Sequence, residues 1–378
     1  MSDVDLIVVG AGPTGRALAS RSGVAGLRVI LVDPNPDDAW TATYGMYADD
    51  APSWLDASVV ASRSATFTVF TPHRRVVDRG YLVLDPEPFR QSLSLENVEV
   101  IAERAGVVSA TTVTLRDGTV LTARHVVDAR GTAAVADESL PRQTAFGVFS
   151  APAEPDETVL MDWRAAGISA LDPASFSYRI NTARGRLSQE TCLAGRPPIP
   201  ISELERRVRL RQASTPQAPA GSAGAAATEV VDFPMRVRVR PWRGDGPLRF
   251  GAAGGLMNPA TGYSVAHSLH AVDVIVAALT ADQDPATALW PRSARAVYLL
   301  RLIGLAVLLA LTPAQLVTFF DAFFALSIRR QRAYLSARDD VWGLLRSMWA
   351  VFVRCPTRLK SAVVTASVRG AVDLVRAA

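Results

Sequence analysis

Leu6-Ile7-Val8-Val9-Gly10-Ala11-Gly12-Pro13-Thr14-Gly15 is an apolar run that breaks into a glycine turn, and its reading decides the fold. A helix-compatible stretch follows, and a second apolar run, Val29 to Val32, ends in Asp33. Strand, glycine turn, helix and second strand make the unit that seats a dinucleotide pyrophosphate on a helix N-terminus. Gly10 permits the sharp turn, Gly12 lets backbone N–H groups approach phosphate, and Gly15 lets helix and strand pack closely. Pro13 belongs to the same turn. Asp33, 18 residues beyond the last glycine, is placed to accept a ribose hydroxyl. The competing reading is a glycine-rich turn that binds nothing; strand, helix and acid all falling in place argue against it.

The rest of the composition fits an enzyme handling something greasy. The chain has 378 residues, enough for a large core and two or three intertwined subdomains. It is 49% hydrophobic and only 20% charged, with a mean hydropathy of +0.17, which points to a membrane surface or an apolar ligand. The net charge of +4 is carried by arginine, Lys360 being the only lysine, and it suits an anionic lipid surface. The basic residues are too scattered, with too few clustered aromatics, for nucleic acid. Two cysteines, Cys192 and Cys355, and four dispersed histidines give neither a disulfide framework nor a protein metal centre. A strand begins almost at once, so no signal peptide is expected and the enzyme is read as intracellular.

Outward from the fingerprint, four regions are expected. Residues 1–140 form the first part of an FAD-binding α/β domain of the Rossmann-like, two-dinucleotide type. Residues 141–247 form an inserted β-rich substrate domain, residues 248–284 complete the FAD-binding domain, and residues 285–378 are helical and apolar. Within the first region, residues 58–84 read as strands, Pro86 to Leu95 as a helix, and Val98–Ile101, Val107–Leu115 and Val120–Val127 as strands. Asp117-Gly118 turns between the last two, and Val126–Gly131 returns beside the first strand. In the insertion, Ala145–Phe149, Thr158–Asp162, Phe176–Ile180 and Glu190–Ala194 read as strands and Ile201–Gln212 as a helix. Ala213–Thr228 reads as a loop, and Arg236–Arg243 as an arginine-studded strand edge or turn, solvated or against lipid headgroups.

Trp40-Thr41-Ala42-Thr43-Tyr44-Gly45-Met46-Tyr47-Ala48-Asp49-Asp50 crowds aromatics and paired carboxylates. It reads either as a site-lining loop or as an acidic turn beside core aromatics. Leu248–Gly254 is a strand ending in small residues, and a helix begins after Pro259-Ala260-Thr261-Gly262. The positive end of that helix would stabilise negative charge on a flavin N1/O2 edge. Leu302–Phe320 carries no charged side chain for 19 residues, but Pro313 interrupts it. It is read as helices over a hydrophobic tunnel partly dipped in the bilayer interface, with Arg329, Arg330 and Arg332 at headgroup level. A single membrane span and buried core helices are the alternatives.

These motifs, in this order, resemble the flavin-dependent lycopene cyclases of plant and bacterial type. The resemblance is carried by the Trp40–Asp50 loop, Arg79-Gly80-Tyr81 with Phe89-Arg90, Gln143–Gly147, Met161–Arg164, Gly251–Ser264 and Phe320–Phe324. It implies a reduced FAD, NAD(P)H as the electron source, and a lycopene-type carotenoid cyclised to a β-ring without net redox change. It also implies peripheral association with the inner membrane face and contact with other carotenoid-pathway enzymes. The implied site residues are Glu190, Asp49, Asp50, Tyr44 and Tyr47 for catalysis, with Trp40 and Phe176 as further cation-facing aromatics. Gly10, Gly12, Pro13, Gly15, Asp33, Arg90, Gly254, Asn258, Pro259 and Gly262 are implied to hold the cofactor.

One motif departs. The family's paired acids before threonine stand here as Gln189-Glu190-Thr191, so Glu190 is expected to serve as proton donor, with Asp49 and Asp50 next. Glu190 as a surface strand carboxylate, and Asp49 or Asp50 as a helix cap, are the plainer readings. A flavin monooxygenase or prenyl-chain reductase is the rival on the same fold. Such enzymes usually carry Gly-Asp where this chain has Gly251-Ala252. A carotenoid- or lipid-binding flavoprotein without activity is the other rival.

Overall fold

The structure is a computed structural model that describes residues 4–132, 137–151, 157–164, 173–213, 227–244 and 246–376. The glycine turn sits where the sequence puts it, between β1 (Leu6–Val9) and α1 (Pro13–Val24), with β2 (Val29–Val32) following. All eight residues of the two strands are buried, as expected for parallel strands covered on both faces. Gly10 takes a left-handed φ of +107°, and a Cβ on it would lie 2.8 Å from the Ala129 carbonyl. A Cβ on Gly15 would lie 2.0 Å from the Gly10 carbonyl, so helix and turn close only around glycine.

The chain continues through β3 (Tyr44–Tyr47), β4 (Val60–Ser64), β5 (Phe67–Phe70), β6 (Arg74–Val77) and β7 (Tyr81–Leu84) into α2 (Pro86–Ser92). Next come β8 (Val98–Ile101), β9 (Ala105–Val108), β10 (Thr112–Leu115), β11 (Val120–Thr122) and β12 (His125–Asp128). The stretches 107–115 and 120–127, each expected as one strand, are each divided in two. β9–β11 form a separate antiparallel sheet, and β12 leaves it to pair parallel with β1. The nucleotide sheet has the order β18-β12-β1-β2-β8, closed at one edge by β18 (Leu248–Arg249) from far along the chain.

The second sheet contains β13 (Arg142–Ser150), β14 (Val159–Asp162), β15 (Phe176–Thr182), β16 (Gly185–Gly195) and β17 (Thr228–Pro234). Its order is β17-β13-β16-β15-β14-β5-β6, so residues 67–77, expected within the first domain, belong to this sheet. The parallel pairing of β14 with β5 makes the join. Helix α3 (Ile201–Ala213) covers one face through Leu204 and Val208 against Phe146 and Cys192. Most of the loop expected at 213–228 lies outside the described residues. Arg236–Arg243 is a turn, not a strand edge.

The C-terminal part is helical: α4 (Val265–Thr280), α5 (Pro285–Leu289), α6 (Arg292–Ala310), α7 (Pro313–Phe324), α8 (Ile328–Leu335), α9 (Val341–Arg354) and α10 (Thr357–Arg376). Leu302–Phe320 is two helices, not one. Pro313 occupies the first turn of α7, and Thr312 and Gln315 form a reciprocal capping box that starts the new helix. Among the described residues α6 is long and apolar enough to cross a membrane, but it packs against α9 and α10, and its Arg301 is buried. Arg301 donates to the Tyr334 and Ala337 carbonyls, fastening the α8–α9 connection to α6.

Candidate active site

The cradle for a dinucleotide is assembled at the C-terminal ends of β1 and β2. Asp33 accepts the Ala11 N–H on one carboxylate oxygen and the Asn35 N–H on the other, both at 2.8 Å. Each oxygen keeps a second lone pair for a ribose hydroxyl. No side chain caps α1, its first turn carries no acid, and a Cβ on Gly12 would meet no atom within 4 Å. The cradle therefore has open space and unpaired helix-end donors where a pyrophosphate would lie. Buried Arg16 ties α1 to the Arg90, Leu93 and Pro36 carbonyls. Arg90 is held by Glu87 in two bonds of 3.0 and 2.7 Å.

The second nucleotide segment returns to this cradle. After β18, Gly251–Gly254 forms a tight helical turn, and a Cβ on Gly251 would lie 3.4 Å from Thr14 Oγ1. Asn258 is fully buried and pins the next turn: Oδ1 accepts the Ala260 N–H, and Nδ2 donates to the Leu335 carbonyl at 3.2 Å. Its backbone carbonyl accepts from Thr261 and Gly262. Gly262 has φ +79°, and a Cβ there would collide with Gln143 Oε1. Helix α4 then begins at Val265 with neither a side-chain cap nor an acid in its first turn. Ala266 and His267 of its first turn, with Ser264 before it, line a small pocket together with Gly45, Tyr47, Asp50, Tyr263 and Leu335. A flavin ring fits such a donor set, because charge on its N1/O2 edge would meet the positive helix end.

Asp49 and Asp50 end a short helical turn after β3, and one guanidinium organises both. Arg79, with only 2% of its side chain exposed, donates to Asp49 at 2.9 Å, to Asp50 at 3.0 Å and to Ser336 at 2.7 Å. Its guanidinium carbon lies 3.7 Å from the Tyr47 ring centroid. Arg332 adds a second cation to Asp49 at 2.8 Å while half of its side chain stays exposed. Ser336 donates to the second oxygen of Asp50. Burial raises the Asp50 carboxyl above its usual range, with Arg79 pulling the other way. Neither acid caps a helix at Ala51-Pro52.

Four tyrosines lie behind this pair. The Tyr81 hydroxyl is 3.0 Å from that of Tyr178 and 3.4 Å from that of Tyr263. The Tyr47 ring packs 5.7 Å from Tyr81 and 5.4 Å from Tyr263. Burial pushes the Tyr47 phenol up to about 12 and the other three well above their ordinary value, so all four are neutral at physiological pH. An aromatic tract continues from Tyr47 through Phe67, Phe324, Phe320 and Trp163 to Phe176. Tyr44 is not part of it. Three residues from Tyr47 on one strand, it points to the other face, where Trp40 packs between it and Phe89. Sequence reading missed Tyr81 and Tyr178 as site residues; the signal was the Arg79-Gly80-Tyr81 string.

Glu190 lies elsewhere. On β16, residues 187, 189 and 191 share a face with Phe176, Tyr178 and Ile180, their partners on β15. Glu190 points the opposite way, toward α3, and is only 1% exposed. It accepts from Ser175 at 2.7 Å and from Arg211 at 3.0 Å, and Arg207 donates to the same Ser175 hydroxyl. This is an ion pair bracing α3 against the sheet. The residue turned toward Tyr178 is Gln189.

The fold is shared with solved flavoproteins. The chain matches a geranylgeranyl bacteriochlorophyll reductase-like protein from Thermoplasma acidophilum at 15% identity and a TM-score of 0.62, covering 91% of this chain and 95% of that one. It matches PqsL of Pseudomonas aeruginosa, described as "a probable FAD-dependent monooxygenase", at 17% identity and a TM-score of 0.53, over 91% and 99% of the two chains. The architecture is thus the Rossmann-like fold of FAD-dependent reductases and monooxygenases. Within that class, a family profile described as "Lycopene cyclase protein" matches residues 5–361, and the chain belongs to the lycopene cyclase family. It is 30% identical to an "uncharacterized carotenoid cyclase" of Deinococcus radiodurans over 94% of this chain and 92% of that protein. It is 25% identical to the lycopene beta cyclase of Synechococcus elongatus, over 94% of each.

Two outcomes follow from this geometry. Glu190→Ala removes the buried carboxylate that Arg211 and the Ser175 hydroxyl share and should cost about 3 kcal/mol in a denaturant titration, with bound flavin retained below the transition. His267 Nε2–H donates to the Ser336 carbonyl at 2.8 Å, and burial lowers its pKa from 6.5 to about 3. A depressed folded-state pKa contributes stability present above pH 6.5 and lost as pH falls toward 3. Thermal unfolding of His267→Gln should therefore decline less steeply than wild type across that interval.

Proposed function

We propose that this chain is a lycopene cyclase, an isomerase that converts the acyclic ψ-end group of a carotenoid to a β-ring by proton-initiated cyclisation, with no net redox change. The observation that carries the reading is the Asp50 carboxyl. It is raised by burial and shares one pocket with Tyr47, Tyr263 and the start of α4. Protonation of an isolated double bond demands a carboxylic acid, and burial shifts Asp50 toward that form.

Asp50, not Glu190, is the proposed donor. It adds a proton at C2 of the terminal double bond, the C5=C6 pair attacks the resulting C1 cation to close the ring and leave the charge at C5, and loss of the C6 proton restores the C5=C6 double bond. The carboxylate left on Asp50 is the base proposed for that last proton. Asp49 is bonded to Arg79 and Arg332, so the Arg79 charge is shared between the two carboxylates and offsets the burial of Asp50 only in part. The faces of Tyr47, Tyr81, Tyr178 and Tyr263 offer π density to the cation without competing as anions. Closely packed aromatics keep out the water that would intercept it. Gly10, Gly12, Pro13, Gly15 and Asp33 hold the adenosine diphosphate part of FAD, with Arg90 beside it. Gly254, Asn258, Pro259 and Gly262 shape the flavin end. When bound and reduced, FAD supplies an electron-rich surface that stabilises positive charge, and NAD(P)H is the proposed source of its electrons. A substrate this apolar resides in membrane, so we place the enzyme at the inner membrane face, peripherally bound.

Anaerobic incubation of the flavin-loaded protein with lycopene and dithionite in deuterated water tests the reading. It should yield ringed product with one deuterium per ring. Product with added hydrogen would make the protein a reductase, and unchanged substrate a binder.

A further inference from the structure

We propose that α9 and the adjoining α10 form the face that docks on an anionic lipid bilayer, in place of the apolar run at 302–320. This rests on the carotenoid-cyclase reading, which requires access to a bilayer-dissolved substrate. The 302–320 run is broken by Pro313 into α6 and α7, and α6 packs against α9 and α10 with Arg301 buried. By contrast Trp342 and Trp349, two helical turns apart on α9, are 69% and 66% exposed, and Val353 continues the stripe one turn on. On α10, Val364, Val368 and Val375 repeat the same spacing and are also exposed. Each helix still buries its other side: Leu344, Ser347, Ala350 and Val351 on α9, and Leu359, Ala366 and Gly370 on α10.

Charge selects the occupant. From residue 341 to 376 the chain carries Arg346, Arg354, Arg358, Lys360, Arg369 and Arg376 against the single acid Asp373. Lys360 Nζ lies 5.8 Å from the Phe352 ring, and the Phe352 and Trp349 rings pack at 5.5 Å, so cation and aromatic surface are continuous across the α9–α10 corner. Exposed tryptophans with a basic rim match the amphipathic boundary of a bilayer, where indole sits at headgroup depth and arginine meets phosphate. A second copy of this chain would bring like charges together.

The test is co-sedimentation of the full-length, flavin-loaded protein with vesicles of phosphatidylcholine, with and without phosphatidylglycerol. Wild type should sediment with the phosphatidylglycerol vesicles and be released by salt. The double variant Trp342→Ser/Trp349→Ser should bind about tenfold or more weakly. Arg354→Glu/Arg358→Glu should lose the preference for anionic lipid, and both variants should keep wild-type circular dichroism and flavin absorbance. Wild type staying in the supernatant, or both variants sedimenting like wild type, would overturn the proposal. So would a concentration-dependent dimer that the tryptophan substitutions dissociate. Conversion of lycopene supplied in detergent micelles reads the cyclase activity separately: the tryptophan variant should keep it, and a wild-type failure there counts against the cyclase and not the docking face.

Discussion

A guanidinium taken out of water must be neutralised where it lands, and Arg79 is the case on which this molecule turns. Its partners come from two places. Asp49 and Asp50 end the aromatic loop, Ser336 joins α8 to α9, and Tyr47 lends a ring face. The loop, the strand pair β6–β7 and the helical C-terminus are thereby tied to one cation. Because Asp49 is also bonded to Arg332, the two carboxylates differ: one is bonded to two guanidiniums, the other is buried with its pKa raised. Adjacent acids in the chain thus meet different electrostatic surroundings.

The same arrangement explains why the acid pair and the tyrosines belong to one site while Glu190 does not. Gly45 leaves room for the Tyr81 hydroxyl, since a Cβ there would lie 2.3 Å from it. Tyr263 reaches the cluster because the Asn258 turn is anchored to the backbone of Leu335. Nucleotide core, second sheet and helices each contribute a wall. Glu190, on the outer face of the second sheet, instead secures α3.

Much of this was written in local pattern. The β1–α1–β2 unit, the return of β12, the inserted strands and the start of α4 all follow from apolar period, glycine and capping residues within a few positions. The Pro313 interruption was also readable as a helix start. What the pattern lacked was long-range pairing: nothing near residues 67–77 says that β5 joins β14, some 90 residues on. Strand alternation did state that Gln189 and Glu190 face opposite ways, and likewise Tyr44 and Tyr47. It could not say which face looks onto the site, because that depends on where α3 docks. The tyrosine cluster has members more than 180 residues apart and becomes visible only when the sheets and the Asn258 turn are assembled.

The central claim, that the buried Asp50 carboxyl supplies the proton that starts the reaction, is tested most directly by Asp50→Asn assayed in single turnover with the flavin reduced and oxygen excluded. The account predicts that this isosteric change retains FAD and the fold but abolishes ring formation. It also predicts that the wild-type rate falls as pH rises through the elevated Asp50 pKa. Ring formation by Asp50→Asn at the wild-type rate would contradict it.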